Sequence, residues 1–332
     1  MIKKECFTAE WIEQVSSELH YNDKNLIEKV IRALSLLEML VKAGCPLVFK
    51  GGTALMLILG KSAHRLSIDI DVICPPGTNI EDYLKSFADF GFINLELVER
   101  KQRDDADIPK SHSKFFYQIA YRNDTDAQSY ILLDVLYEDI HYFRTQQIAI
   151  DCPFIRLEGK PLMVTVPSAE DILGDKLTAF APNTTGIPYY KNGRSCSMEI
   201  AKQLYDVGRL FENVSDLQIT KEAFRKIAVV ELSYRSFGTD IGQVFNDIRQ
   251  TALCISTRGK AGEGDFDLIQ DGIIRVKSFM YKQRYLIDHA IIDAARAAYL
   301  ATLIEKGINE IESYSNNPAD IKDMVIRPSL PN

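Results

Sequence analysis

Two aspartates that lie one residue apart in an apolar stretch are candidates for a chemical role. In LSIDIDVI, Asp69 and Asp71 alternate with apolar residues, which is typical of a β-strand. Residues i and i+2 of a strand point the same way and lie roughly 6.5–7 Å apart, so both carboxylates share a face. Two like charges that close together raise one pKa, and a divalent cation such as Mg²⁺ removes the conflict. The alternative is a solvated pair on the exposed face of an edge strand.

A third carboxylate, Asp134, lies in the apolar stretch YILLDVLYED, which predicts a strand buried on nearly all sides. A lone aspartate in such a strand is costly unless it is paired or binds a metal. If this strand neighbours the Asp69/Asp71 strand, three carboxylates converge and suit two Mg²⁺ ions about 3.5–4 Å apart. The alternative is a structural pair between Asp134 and an arginine.

A glycine pair, Gly51 and Gly52, precedes Thr53 between a predicted strand and a predicted helix. Glycines at such a turn allow backbone to approach an anion closely, and the helix N-terminus adds partial positive charge. Many ordinary turns also use this dipeptide, so the prediction of a phosphate site depends on the aspartates that follow.

Lys176 is a cation on a predicted apolar helix face. Its helix, in SAEDILGDKLTAF, begins with a capping box of Ser168 and Asp171. Lys176 lies within the stripe formed by the apolar residues of that helix. Its ammonium group either reaches outward to water or is held in a cleft against an anion.

The elements that must position these residues fall into two halves. A boundary near residues 160–167 divides a 1–166 α/β domain from a 167–332 helical domain that contains Lys176 and Asp206. The polar stretch from Arg100 to Lys114 predicts a surface loop. The predicted helices before the boundary cover residues 8–20, 24–43, 53–60 and 79–90. The predicted strands cover residues 45–49, 66–73, 94–100, 115–122, 129–137, 146–156 and 162–166.

Composition excludes several function classes. The 332 residues are 46% hydrophobic and 26% charged, as in globular proteins, and the net charge of −7 gives no global attraction to nucleic acid or anionic lipid. The six cysteines are scattered singly, which favours reduced thiols over disulfides or zinc. No signal-peptide core begins the chain, and no apolar run approaches the roughly 18 residues of a membrane span. We therefore expect a cytoplasmic protein with no membrane partner.

Five motifs in order carry a resemblance to a known family. FKGGTAL, RLSIDIDV, ILLDVLY, VPSAEDILGDKLTAF and QLYDVGRLF, spread over about residues 45–212, resemble those of the AbiEii-type nucleotidyltransferase toxins, which include the MenT-like toxins. The resemblance implies an α+β fold, with a polymerase-beta-like mixed sheet flanked by helices and a helical C-terminal region. It also implies transfer of a nucleoside monophosphate from an NTP, with Mg²⁺ or alternatively Mn²⁺.

The resemblance implies a role for individual residues. Asp69, Asp71 and Asp134 would hold the metal, and Asp206 would be a further active-site acid. From its own sequence context Asp206 lies away from the apolar face of its helix, as in an exposed helix ion pair. The residues assigned to the nucleotide are Lys50, Gly51, Gly52, Thr53, Arg65, Ser67 and Lys176.

The implied partners are tRNA as acceptor and a separately encoded antitoxin, with growth arrest or phage defence as the biological role. Two alternatives stay open: a nucleotidyltransferase acting on small molecules, of the antibiotic-modifying kind, and an inactive nucleotide-binding module. The stretch 181–197, with Tyr189, Tyr190, Lys191 and Arg194, is either a loop that binds the acceptor or a solvated connector.

Overall fold

The computed structural model describes residues 1–98, 110–121, 127–214, 216–234 and 240–311. The chain forms two compact units: unit 1 is Met1–Ile172 with Lys277–Arg284, and unit 2 is Leu173–Val276 with Tyr285–Asn332. The division therefore falls a few residues beyond the 160–167 boundary that the sequence predicts, and one short segment returns from the helical half to unit 1.

Unit 1 contains a mixed five-stranded sheet in the order β1-β2-β5-β4-β3. The pairing of β2 with β5 is parallel, and the other three pairings are antiparallel. The separate strands β6 and β7 form an antiparallel pair. The strands are β1 (Val48–Lys50), β2 (Ile70–Cys74), β3 (Asn94–Val98), β4 (Lys110–Gln118), β5 (Gln128–Tyr137), β6 (Thr145–Ala149) and β7 (Met163–Pro167).

Most helices of unit 1 begin at side-chain caps that the sequence supplies, whereas the residue before α3, Lys50, makes no such hydrogen bond. Asp23 accepts a hydrogen bond from the Leu26 backbone at 3.1 Å at the start of α2. Ser168 accepts one from the Asp171 backbone at 3.1 Å at the start of α4, as the predicted capping box requires. The helices are α1 (Ala9–Glu18), α2 (Lys24–Lys42), α3 (Gly51–Leu59) and α4 (Ala169–Ala179), the last of which spans the division between the units.

The core of unit 1 forms where α2 packs against one face of the sheet. In β5 the residues on this face, such as Leu133, are buried, whereas the alternating residues, including Asp134, are partly exposed. The prediction that β5 is buried on nearly all sides is therefore wrong. The α+β class and mixed sheet are confirmed, and Asp134 lies on the sheet face away from the core.

Two local predictions also differ from the structure. Residues 79–90 form two short 3-10 turns, Ile80–Tyr83 and Phe87–Phe90, instead of one helix. Neither turn has a side-chain cap, and so short a segment recovers little of the cost of nucleating a helix. Of the loop predicted at Arg100–Lys114, residues 110–114 belong to β4, and the remainder lies outside the described residues.

Unit 2 is helical, as the sequence predicts for the C-terminal half. Within it α9 packs on α5 and α7, and α5 packs on α8. The predicted 181–197 loop contains the hairpin β8 (Tyr190–Lys191) and β9 (Arg194–Ser195), turned by Asn192 and Gly193 at positive φ. The helices are α5 (Ser197–Phe211), α6 (Leu217–Ser233), α7 (Ile241–Ser256), α8 (Phe266–Val276) and α9 (Ile287–Lys306). Of the helices in the described ranges, none has both the length and the hydropathy of a bilayer-spanning segment.

A buried ion pair ties α2 to the sheet in unit 1. Arg32 and Glu28 lie 3.3 Å apart with side chains only 7% and 1% exposed. Glu28 also accepts from the Ala120 backbone at 3.1 Å, and Arg32 donates to the Gly91 carbonyl at 3.1 Å. Burial raises the pKa of Glu28 and lowers the pKa of Arg32, while each partner's charge opposes the shift of the other. Both charges therefore depend on being paired.

We expect Arg32→Met to lower the free energy of unfolding of unit 1 by about 3–5 kcal/mol, because Glu28 is left buried without its partner. The control is Lys85→Met, which removes an exposed ion pair with Asp82 and is expected to cost less than about 1 kcal/mol. Denaturant unfolding followed by the fluorescence of Trp11, the single tryptophan, measures both. Equal losses in the two variants would contradict the expectation.

Candidate active site

Four chemically active residues lie side by side across the sheet of unit 1. Lys50 on β1 is paired in register with Asp71 on β2. Asp71 is paired with Asp134 on β5, and Asp134 is paired with His112 on β4. Register partners on neighbouring strands project to the same face and lie roughly 5 Å apart. This charged row (Lys50, Asp71, Asp134, His112) thus places two carboxylates between a cation and an imidazole.

The turn between β1 and α3 packs directly against Asp71. Gly51 has φ +80°, and a Cβ added there would lie 2.1 Å from the Asp71 Oδ2 atom. Both the backbone conformation and the space therefore require glycine at this position. The first turn of α3, whose backbone N–H groups have no partner within the helix, begins beside the Asp71 carboxylate.

Gly52 is packed just as closely, against two other residues that the sequence assigns to the nucleotide. A Cβ at Gly52 would lie 2.7 Å from Ser67 Oγ and 2.9 Å from an Arg65 guanidinium nitrogen. Arg65 is buried and donates to the Leu66 carbonyl at 3.0 Å. The structure therefore gathers Gly52, Arg65 and Ser67 at one point, at the N-terminus of α3.

Thr53 and Asp69 are joined by a hydrogen bond that fixes the backbone of the aspartate motif. The Thr53 hydroxyl is fully buried and donates to the Asp69 carbonyl at 2.7 Å. The Thr53 side chain therefore positions the backbone that leads into β2, and its assignment to the nucleotide stays a prediction. Asp69 itself is exposed and lies one residue before β2 begins.

His112 is a site residue that the sequence analysis did not identify. Its Nδ1 atom donates to an oxygen of Asp134 in direct contact, and the His112 side chain is 12% exposed. The Nε2 atom is buried and has no hydrogen-bond partner among the described residues. The alternation in KSHSKFFYQ could have placed His112 opposite the buried Ser113 and Phe115. The predicted strand began only at Phe115, which left His112 in the loop.

Lys176 and Asp206 form a buried pair within unit 2. The Lys176 Nζ atom lies 3.1 Å from Asp206 Oδ2, with side chains 9% and 2% exposed, and it donates to Gln203 at 2.9 Å. The alternatives of an outward-reaching Lys176 and an exposed Asp206 ion pair are therefore wrong. Asp206 is buried, and its partner Lys176 is supplied by α4.

The acidic residues of unit 1 suit a cation that the substrate helps to bind. Within the described residues, no group of three or more His, Cys, Asp and Glu side chains could by itself hold a metal ion. Asp71 and Asp134 are register partners, whereas Asp69 lies outside the strand. Mg²⁺ is commonly held by one or two carboxylates together with waters and substrate phosphates, so the donor set fits this ion. The role of Asp69, Asp71 and Asp134 as metal ligands stays a prediction.

The sequence matches a defined class of protein, the nucleotidyltransferases. The family described as nucleotidyl transferase AbiEii toxin, type IV TA system, matches residues 34–300, which is most of the chain. The chain therefore belongs to the AbiEii nucleotidyltransferase toxin family, which confirms the resemblance and the enzyme class. A comparison with curated proteins finds no match.

Solved structures show distant similarity. MenT4, a nucleotidyltransferase toxin from Mycobacterium tuberculosis, is 14% identical with a TM-score of 0.47, over 88% of this chain and 89% of that one. JHP933 from Helicobacter pylori is 15% identical with a TM-score of 0.42, over 93% and 95%. A nucleotidyltransferase from H. pylori, titled as putative, is 16% identical with a TM-score of 0.40, over 86% and 95%. The family assignment depends on the sequence match and not on these likenesses.

We expect Gly51→Ala to reduce nucleotide transfer at least about 100-fold, because the new methyl group displaces the Asp71 carboxylate. The matched control is Gly44→Ala, which also has a positive φ, +76°, but whose Cβ would meet nothing within 4 Å. Both variants carry backbone strain of about 1–2 kcal/mol, so both lose thermal stability. Pyrophosphate release, measured on folded protein, separates them: a similar activity loss at Gly44 would show that strain alone is responsible.

Proposed function

We propose that this protein transfers a nucleoside monophosphate from an NTP to a hydroxyl of tRNA in the cytoplasm, as the toxin of a pair with a separately encoded antitoxin. The observation that supports this reaction is the charged row beside the glycine turn. It offers carboxylates for a cation and backbone N–H groups for phosphates within one small area. Growth arrest, including arrest of infected cells in phage defence, would follow from modified tRNA.

The reaction needs an attacking hydroxyl, a reactive α-phosphorus and a stabilised pyrophosphate. The acceptor oxygen forms a bond to the α-phosphorus while the bond to the pyrophosphate oxygen breaks, and the hydroxyl proton passes to a carboxylate. Asp71 and Asp134 would hold Mg²⁺, or Mn²⁺ in its place, with Asp69 as a further ligand. The bound ion supplies neutralisation of phosphate charge in the transition state. The carboxylates orient it and receive the proton.

Phosphate binding is assigned to the N-terminal end of α3. Lys50 immediately precedes this end, and Gly51 and Gly52 bring backbone within reach of an anion. Arg65 and Ser67, which lie against Gly52, add side-chain donors. Lys176 is assigned a phosphate contact and Asp206 a supporting acidic role, both because of family membership.

His112 has a positioning role in this scheme. Its Nδ1 atom is hydrogen-bonded to one carboxylate oxygen of Asp134, so the other oxygen is available to the cation. Residues that hydrogen-bond to a metal-binding carboxylate in this way fix the orientation of that carboxylate. His112 therefore acts through Asp134 and not on the substrate.

One observation favours a small-molecule acceptor over tRNA. The net charge of −7 disfavours the binding of a polyanion such as tRNA. Incubation with labelled NTPs, Mg²⁺ and total tRNA distinguishes the acceptors. We expect the label on RNA. Label on added small molecules alone would reject tRNA, and absence of pyrophosphate release with any acceptor would favour the inactive nucleotide-binding module.

We expect Asp71→Asn to lower labelling at least about 100-fold, the scale of removing a group that stabilises transition-state charge. Asp89→Asn, an exposed aspartate of the same unit, is the control and is expected to retain activity. Retained labelling in the folded Asp71→Asn variant would rule out the charged row as the site.

We expect His112→Phe to weaken Mn²⁺ binding about 10- to 100-fold, because Asp134 loses the donor that orients it. His112→Asn retains a donor close to the Nδ1 position and is expected to restore most of the affinity. Mn²⁺ binding in the presence of a non-hydrolysable NTP, followed by electron paramagnetic resonance, measures this without turnover. Equal affinities in the two folded variants would contradict a positioning role.

A further inference from the structure

The segment Lys277–Arg284, here called the return segment, is part of unit 1 although its neighbours in sequence belong to unit 2. It is held there by its backbone. Leu66 N–H donates to the Phe279 carbonyl at 2.8 Å, and Tyr281 N–H donates to the His64 carbonyl at 2.9 Å. The stretch that it pairs with, residues 64–66, leads directly into Ser67 and the aspartate motif.

The end of the return segment lines an open hollow on unit 1. The hollow has a volume of about 510 Å³ and lies between the C-terminal end of α1 and the last residues of the segment. Lys282 and Arg284 are both exposed, and the Lys282 Nζ atom lies 5.2 Å from the centre of the Tyr281 ring. Among the described residues neither cation has an ion-pair partner. The lining residues are Glu18, Leu19, His20, Lys282, Gln283 and Arg284.

Lys282 is held in a backbone conformation that a lysine rarely adopts. Its φ is +78°, and Gln283 N–H donates to the Tyr281 carbonyl at 3.1 Å, which forms a γ-turn centred on Lys282. Glycine would adopt this conformation without strain. Strained positions that persist with a non-glycine side chain often serve function, and here the side chain is a cation with no carboxylate partner.

We propose that this hollow binds the phosphodiester backbone of the acceptor RNA, an inference that rests on the proposed tRNA-modifying function. Exposed lysine and arginine side chains are the usual partners of nucleic-acid phosphates, and they position a strand without reading its sequence. Because the return segment is bonded to residues that precede Ser67, a strand bound there lies on the unit that carries the charged row. With two cations and one carboxylate, Glu18, in its lining, the hollow has a local excess of positive charge that the net charge of −7 does not supply.

The test measures tRNA binding by filter retention at several salt concentrations for Lys282→Gly/Arg284→Gln. We expect about 10-fold weaker binding and a salt slope smaller by about 1.4–1.8, for two lost phosphate contacts. The control, Lys4→Gln/Lys160→Gln, changes the net charge equally at exposed positions elsewhere on unit 1. It is expected to keep the slope of the unsubstituted protein.

Two further measurements separate binding from folding and from the proposed function. Lys282→Gly alone should bind tRNA more weakly while its melting temperature is unchanged or higher, because glycine relieves the strain. In the labelling assay the KM for tRNA should rise in the double variant, whereas the KM for NTP should be unchanged.

The outcomes are distinct. If the unsubstituted protein labels RNA and the double variant shows the same KM and salt slope, the hollow is not the RNA site although the proposed function stands. If the unsubstituted protein neither binds nor labels tRNA, both are overturned. Binding to anionic lipid vesicles that is lost in the double variant, without any effect on tRNA, would also overturn the inference and assign the hollow to a membrane surface.

Discussion

The parallel pairing of β2 with β5 is the constraint on which the site depends. It sets Asp71 beside Asp134, although like charges directly opposite each other on neighbouring strands are unfavourable. The same register adds Lys50 on one side and His112 on the other, so each carboxylate has a neighbour that can offset its charge. A sheet selected for stability alone would not need two adjacent carboxylates, and departures from local rules are typical of functional sites.

That pairing is tolerable because the two faces of the sheet have different environments. One face packs against α2 and carries buried residues such as Leu133 and Phe115, and a slip of one residue would turn these outward. The buried Arg32–Glu28 pair fixes α2 to the sheet margins from the core side. The hydrophobic face thus sets the register, and the register sets the polar row on the opposite face.

The sequence allowed the prediction of features that depend on local patterns. Alternation identified β2 and most of β5, helical periodicity identified α2, and the capping box identified the start of α4. The glycine turn was also predicted, but the reason that Gly51 is required, contact with Asp71, emerges only from the sheet. Short turns were less accessible, since the 79–90 stretch has enough apolar residues for a helix but no caps.

Features that depend on contacts between distant segments could not be predicted. His112 acquires its role only because β4 pairs with β5, and the local alternation in KSHSKFFYQ could place it on a strand but not beside Asp134. Asp206 lies away from the apolar stripe of α5, and its buried pair with Lys176 of α4 depends on a contact that the sequence of α5 does not show. The position of the return segment in unit 1 could not be predicted for the same reason, because it depends on backbone hydrogen bonds to residues far away in sequence.

The Lys176–Asp206 pair sets a condition on any phosphate contact made by Lys176. Removing the lysine from Asp206 would weaken the compensation of a buried carboxylate, which is costly. An ammonium group has three donors, and contacts to Asp206 and Gln203 use two of them. In the proposed function, the third is therefore the donor with which Lys176 would contact a phosphate without giving up its partners. Asp206 then holds the ammonium in place, so the lysine and the aspartate act as one unit.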